Sequence, residues 1–137
     1  MQTLKFLGRG SAFNREEGNT SAYIKNKDNF FLIDCGELVY DEIEKRNLIN
    51  EKIKNVSILI THLHGDHVGS LSSFIFWCYY KFNIIPLVIY PDREVMENFL
   101  LMQGTVKNIH YRLVSKNNLY INELNMRVKA MEVEQIF

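Results

Sequence analysis

Three histidines and an aspartate stand within six consecutive positions, in the run His62-Leu63-His64-Gly65-Asp66-His67. Imidazole nitrogen combined with carboxylate oxygen suits zinc, with manganese or iron as alternatives, whereas calcium and magnesium sites are built mostly from oxygen. The chain has only 4 histidines, so an ordinary polar loop would rarely gather three of them. The run therefore predicts a metal site.

The spacing of these side chains predicts two metal ions. In extended backbone, His62 and His64 project to the same side and can bind one ion. Asp66 and His67 follow about one turn later and cannot easily reach that ion, so we expect them to bind a second one. Two ions about 3.5–4 Å apart hold a bridging hydroxide and stabilise the oxygens of a displacement reaction. Asp66 could also orient the nucleophile or act as the catalytic base.

The elements around the motif place it at the carboxyl end of a strand. The apolar residues 56–60 predict a buried strand, Gly65 permits a turn, and a helix is expected from about Asp66 to Phe82. A loop between a strand and a helix is the usual place for a site in α/β proteins. At the end of an earlier strand, Asp34 is expected to accept a hydrogen bond from a metal-bound histidine, with capping of the next helix as the alternative.

The remaining pattern predicts a mixed α/β chain without internal repeats or low-complexity linkers. Apolar alternation and turn residues predict strands at residues 3–7, 21–25, 30–34, 87–90, 111–114, 119–121 and 126–133. Charge and apolar spacing predict helices at residues 37–47 and 93–102. The fold class is therefore α/β, with a mixed sheet.

Three segments resemble the metallo-β-lactamase fold hydrolases, and among these the RNase Z-like subgroup. FLGRGSA at residues 6–12, DCGE at 34–37 and THLHGDH at 61–67 are similar to that subgroup's FLGTGSA, DCGE and THxHGDH patterns. Cyclic-nucleotide phosphodiesterases of bacterial and phage origin are similar around the first and last segments. The resemblance implies half of an αβ/βα sandwich, with helices on the outer face of its sheet.

The resemblance also implies that part of the metal site comes from elsewhere. Members of the fold are usually longer than these 137 residues and take a third histidine, a bridging aspartate and a last histidine from downstream segments. His110 comes too early to match, and in the family a histidine commonly follows the last strand, about where residues 134–137 stand. We therefore expect residues 1–137 to form a single, C-terminally truncated domain, or one part of a site that a second chain completes.

Composition sets the expected surroundings of the protein. Basic and acidic residues balance at 16 each, so no overall field attracts nucleic acid. A membrane-spanning run and a secretory signal are both missing from the sequence, which predicts a cytoplasmic protein without a membrane partner. Cys35 and Cys78 are expected to be buried thiols. An uncovered apolar sheet face would favour a homodimer or a higher assembly.

Three functions stay open, and whether the chain is an enzyme is itself uncertain. The leading hypothesis is a metal-dependent phosphodiesterase acting on RNA or a cyclic nucleotide. A second is a hydrolase of esters, thioesters or lactams, because one fold supports many chemistries. The third is a truncated or degenerate domain without turnover that serves as a structural or interaction module.

Overall fold

The computed structural model describes residues 2–133, which form a six-stranded sheet, a two-stranded hairpin and helices on one side of the larger sheet. The elements are β1 (Leu4–Gly8), β2 (Ser21–Asn26), β3 (Asn29–Ile33), α1 (Val39–Lys45), β4 (Asn55–Leu59), α2 (Gly65–Val68), α3 (Leu71–Phe82), β5 (Leu87–Ile89), α4 (Arg93–Met102), β6 (Arg112–Val114), β7 (Asn118–Ile121), a 3₁₀ helix (Asn122–Leu124) and β8 (Met126–Lys129). Among these residues, no helix is long and apolar enough to span a bilayer.

The large sheet is mixed, and its strands follow one another in chain order from β1 to β6. The first three strands form an antiparallel meander, whereas β3, β4, β5 and β6 are parallel. Because β1 and β3 both run antiparallel to β2, β1 points the same way as the parallel strands. The carboxyl ends of β1, β3, β4, β5 and β6 therefore share one edge, which we call the carboxyl edge.

The outer face of the sheet carries the main core. Leu32 and Ile58 project from β3 and β4 into the same buried cluster as Ile43 of α1 and Phe74 of α3, and each of the four is fully buried. Parallel strands joined by helices place those helices on one side of the sheet, because such crossovers are right-handed. This packing holds the loops of the carboxyl edge on a rigid support.

The inner face is apolar, and the chain covers the centre of it with its own hairpin. Side chains of the 3₁₀ helix and of β7 and β8 pack onto β2, β3 and β5 in a second buried cluster, formed by Ile24, Phe31, Ile89, Ile121 and Leu124. The uncovered apolar face that the sequence predicts is therefore limited to the margin of the sheet. There, Leu4 and Phe6 of β1 are 47% and 45% exposed. Homodimer formation remains a prediction.

The structure corrects the predicted helix from Asp66 to Phe82. Two helices occupy this stretch, and they are separated at Gly69 and Ser70. The break occurs because the Ser70 amide donates to the carbonyl of Cys35, 3.1 Å away, while the Ser70 hydroxyl donates to the carbonyl of Gly36. Hydrogen bonds to a distant segment thus replace continuation of a single helix.

The last strand is also shorter than predicted. β8 ends at Lys129 instead of residue 133, because its partner β7 begins at Asn118, which pairs with Lys129. The amide of Ala130 then donates to the carbonyl of Asn117 over 2.7 Å, which closes the hairpin. Residues 134–137, where the family resemblance would place a histidine, lie outside the described residues.

Candidate metal centre

The histidine motif begins shortly after β4, at the carboxyl edge, as its sequence position predicts. Beside it, β3 ends at Ile33, and Asp34 adopts a left-handed backbone conformation with φ of 62°. The Asp34 amide donates to the carbonyl of Leu59 at the end of β4, 2.8 Å away. This turn brings the Asp34 side chain to the motif, although the two are far apart in sequence.

Asp34 is buried, with 4% of its surface exposed, and its carboxylate connects both ends of the motif. The Thr61 amide donates to Oδ1 over 2.8 Å, and the Thr61 hydroxyl donates to Oδ2 over 2.7 Å. Nδ1 of His67 lies 2.7 Å from the same Oδ2. Asp34 does not cap α1: in the described chain, that helix begins after Leu38 without a side-chain cap. A carboxylate accepting from Nδ1 fixes the histidine tautomer and turns Nε2 outward.

The three imidazoles of the motif form one cluster. The ring centroids of His62 and His67 are 4.0 Å apart, and those of His62 and His64 are 4.7 Å apart. His62 thus lies between the other two rings, closer to His67 than to its predicted partner. Partial burial lowers the pKa of His62, and the neighbouring His67 and His64 lower it further. A lowered pKa favours neutral imidazole, the form that binds metal ions.

His67 and Asp66 face each other across 3.2 Å, between Nε2 and Oδ2. When Nδ1 donates to Asp34, Nε2 of a neutral His67 ring carries a lone pair. Two hydrogen-bond acceptors, His67 Nε2 and Asp66 Oδ2, then face each other. A positive charge, either a proton or a metal ion, is needed to make this approach favourable. Two ligands of one tetrahedral zinc ion lie about 3.4 Å apart, given bond lengths near 2.1 Å. The chemistry and spacing of this donor pair therefore fit a divalent metal.

The complete ligand set is not assembled by these residues. Within residues 2–133, no three His, Cys, Asp or Glu side chains converge in an arrangement that could hold a metal ion. The four side chains predicted as ligands do lie on one loop at one edge of the sheet, and their division between two ions remains a prediction.

A second segment supports the loop from behind. The Cys35 amide donates to the carbonyl of His67 over 2.8 Å, and the Glu37 amide donates to the carbonyl of Gly65 over 3.2 Å. Ser70 completes the support, because its hydroxyl donates to the Gly36 carbonyl and accepts from the Tyr40 amide at 3.1 Å. Sequence reasoning missed this role of Ser70. Nothing in local spacing indicates which segments will lie side by side.

Both cysteines are free and buried, as predicted. Burial raises the pKa of Cys35 to about 12, more than its hydrogen bond with Ser70 lowers it, and the nearby Asp34 raises it further. Burial also raises the pKa of Cys78, and Cys35 adds to that rise. Cys35 is fully buried and hydrogen-bonded to the Ser70 hydroxyl, which is the environment of a structural thiol.

His110 stands apart from the motif. Its Nδ1 accepts a hydrogen bond from the Val106 amide over 2.9 Å. Its ring packs edge-on against Phe76 and Tyr79 of α3, with centroids 5.1 Å and 4.9 Å away. It has the packed, hydrogen-bonded environment expected of a structural histidine.

Replacing Asp34 by asparagine is expected to lower the free energy of unfolding by about 2 kcal/mol, because the amide group would direct N–H donors toward groups that already donate. Asp92→Asn is the matched control. Asp92 caps α4 by accepting from the Val95 amide over 3.1 Å, and asparagine caps a helix equally well. Urea denaturation of both variants measures the difference. Equal stability of the two variants would show that the Asp34 network contributes little.

Comparison with known proteins agrees with this architecture. The model of the family described as Anti-Pycsar protein Apyc1 matches residues 2–130. The Anti-Pycsar protein Apyc1 of Paenibacillus harenae is 33% identical over 89 residues, which cover 65% of this chain and 36% of the relative. Ribonuclease Z of Oceanobacillus iheyensis is 32% identical, over 94% of this chain and 45% of the enzyme. The chain thus spans less than half the length of these curated relatives.

Solved structures show the same fold. Human tRNase Z, short form, superimposes with a TM-score of 0.61 at 27% identity, over 82% of this chain and 43% of the human chain. The metallo-β-lactamase fold protein YhfI of Bacillus subtilis gives a TM-score of 0.62 at 18% identity, over 83% and 45% of the two chains. The protein has the mixed α/β architecture of the metallo-β-lactamase fold hydrolases, and it belongs to the Anti-Pycsar protein Apyc1 family.

Proposed function

We propose that this chain carries the histidine half of a metal-dependent phosphodiesterase. The observation that supports it most directly is the facing pair of His67 Nε2 and Asp66 Oδ2, 3.2 Å apart beside two further imidazoles. That donor set suits zinc, with manganese or iron as alternatives. Relatives named Ribonuclease Z and tRNase Z support phosphodiester chemistry.

Each residue of the motif receives a distinct role in this proposal. His62 and His64 would hold one ion, and Asp66 with His67 a second one. Bound metal supplies Lewis acidity and lowers the pKa of water toward neutrality. Asp34 fixes the orientation of His67 through its 2.7 Å contact with Nδ1. In this proposal the Asp66 carboxylate would also orient the attacking water or accept its proton.

A cyclic nucleotide is the substrate that we favour, and RNA is the second candidate. The 16 basic and 16 acidic residues give the chain no net charge, so it lacks the positive field that attracts a polyanion. A small nucleotide needs only local contacts. The similarity to Ribonuclease Z keeps RNA open.

Activity requires the ligands that these residues do not supply. We propose that a second polypeptide segment, either from a longer chain or from a partner, completes the site. A homodimer is one such arrangement, in a protein that we expect in the cytoplasm. A domain without turnover, serving as an interaction module, and an ester, thioester or lactam hydrolase are the competing functions.

Metal content and hydrolysis measured together test this proposal. Plasma mass spectrometry on untagged protein would count ions per chain, and release of p-nitrophenol from bis(p-nitrophenyl) phosphate would report hydrolysis. We expect about two zinc or manganese ions per chain, and activity that a chelator removes and added metal restores. One ion or none, with no hydrolysis, would instead favour the interaction module. Hydrolysis of p-nitrophenyl acetate without the phosphodiester would favour the esterase.

A further inference from the structure

The loop between β1 and β2, residues 9–20, leaves the sheet at the carboxyl edge. β1 ends at Gly8 and points in the same direction as β3 and β4, which lead to Asp34 and to the histidine motif. Neighbouring strands are about 4.8 Å apart. The base of this loop is therefore about three strand spacings, roughly 14 Å, from the end of β4, and the loop leaves the same end of the sheet as the histidine motif.

Buried contacts fix the base of the loop relative to the metal centre. Asn19 is 3% exposed, and its Oδ1 accepts from the Leu38 amide over 2.7 Å. The same oxygen lies beside Gly36. The Asp66 carbonyl also approaches Gly36, in the space that a side chain would fill. Across the loop, the Gly10 amide donates to the carbonyl of Gly18 over 3.0 Å. The loop and the motif thus share one rigid support.

The tip of the loop is a hydrogen-bonded turn that carries a solvent-exposed aromatic ring. The Asn14 amide donates to the Ser11 carbonyl over 3.1 Å, and the Glu17 amide donates to Oδ1 of Asn14 over 3.3 Å. Phe13 lies within this turn and is 96% exposed, more than any other large apolar side chain described. Single exposed apolar residues are common on protein surfaces. Phe13 differs because a hydrogen-bonded turn holds it on a loop that leaves the same end of the sheet as the histidine motif.

The charges of the loop indicate what kind of group it could bind. Arg9 and Arg15 are balanced by Glu16 and Glu17, and all four residues are exposed. The Arg9 guanidinium already lies over the Phe6 ring, 5.2 Å from its centroid. A loop without net charge has little attraction for phosphate, whereas a flat aromatic ring stacks well on an uncharged base.

We propose that the loop of residues 9–20 binds the nucleobase of the substrate, with Phe13 as the stacking platform, while the histidine motif binds the phosphodiester. The inference rests on the proposed phosphodiesterase function. It specifies the substrate as a nucleotide that the protein recognises partly by contacts with its base. Because stacking needs only an aromatic face, the loop should accept every base and bind purines more tightly than pyrimidines.

Calorimetric titration with adenosine 3′,5′-cyclic monophosphate tests the proposal, with EDTA present so that binding is measured without turnover. We expect Phe13→Ala to raise Kd by about fivefold to tenfold, the low end for stacking on one ring. Phe13→Trp should restore binding, and its fluorescence should be quenched by the nucleotide but not by inorganic phosphate. Tyr80→Ala is the matched control, because Tyr80 is 72% exposed but lies near the end of α3, away from the carboxyl edge.

The outcomes separate this inference from the proposed function. Loss of nucleotide binding in Phe13→Ala supports base stacking even if bis(p-nitrophenyl) phosphate is never hydrolysed. Equal nucleotide affinity of Phe13→Ala, Tyr80→Ala and the unmodified chain overturns base stacking, even if the phosphodiester is hydrolysed. A change in oligomeric state of Phe13→Ala without a change in nucleotide affinity also overturns it, and assigns the ring to protein contact.

Discussion

Hydrolysis of bis(p-nitrophenyl) phosphate is expected to fall by about a thousandfold in His64→Ala, because in the proposed function this change removes a metal ligand and with it several kcal/mol of transition-state stabilisation. The fold should survive this change. His64 is exposed, and it supports α2 through its backbone carbonyl, which accepts from the His67 and Val68 amides at 2.9 Å and 3.0 Å. Alanine keeps that carbonyl. Steady-state kinetics measure the loss, and circular dichroism checks that the variant is folded.

His110→Asn is the matched control for this variant. An asparagine Oδ1 can take the place of Nδ1 and accept from the Val106 amide, which His110 now binds over 2.9 Å. We expect this variant to retain both metal and activity, because His110 packs on α3 outside the motif cluster. Undiminished hydrolysis in His64→Ala, or an equal loss in both variants, would contradict the assignment of His64 as a ligand.

Gly36→Ala is expected to destabilise the fold by about 3 kcal/mol or more, and to prevent the motif from adopting its present geometry. A Cβ atom at Gly36 would lie 2.0 Å from the carbonyl oxygen of Asp66 and 2.5 Å from its carbonyl carbon. Both are backbone atoms, so no change of side-chain rotamer can relieve the clash. Either β3 or the motif loop must move, and the hydrogen bonds between the two segments would then be lost.

Gly65→Ala is the control for this prediction, because Gly65 lies in the same loop. A Cβ atom there would meet only the Glu37 carboxylate, 3.9 Å away, which is an ordinary contact. Gly65 is also the first residue of α2, where alanine favours the helix. Thermal unfolding should show a large loss for Gly36→Ala and almost none for Gly65→Ala. Similar melting temperatures for the two variants would mean that the segments are less tightly packed than described.

Local sequence predicted the order of the elements and the position of the metal motif. The apolar run that became β4 and the histidines directly after it could be identified from adjacent residues alone, because strand alternation and ligand types are local properties. The strands β1 to β3 and the helices α1 and α4 were predicted to within a few residues for the same reason. Burial of both cysteines was predicted because a free cysteine is usually buried, and it is confirmed.

The sequence by itself thus determined which imidazole and carboxylate groups stand together, and the tertiary structure decided how they are held. The contact of Asp34 with His67 joins residues 33 positions apart. It depends on the parallel pairing of β3 with β4, which brings the ends of the two strands together. The break at Gly69 and Ser70, and the hairpin over the inner face, likewise depend on distant partners. Such contacts form when packing brings segments together, and no periodicity within a single segment records which neighbour it will meet.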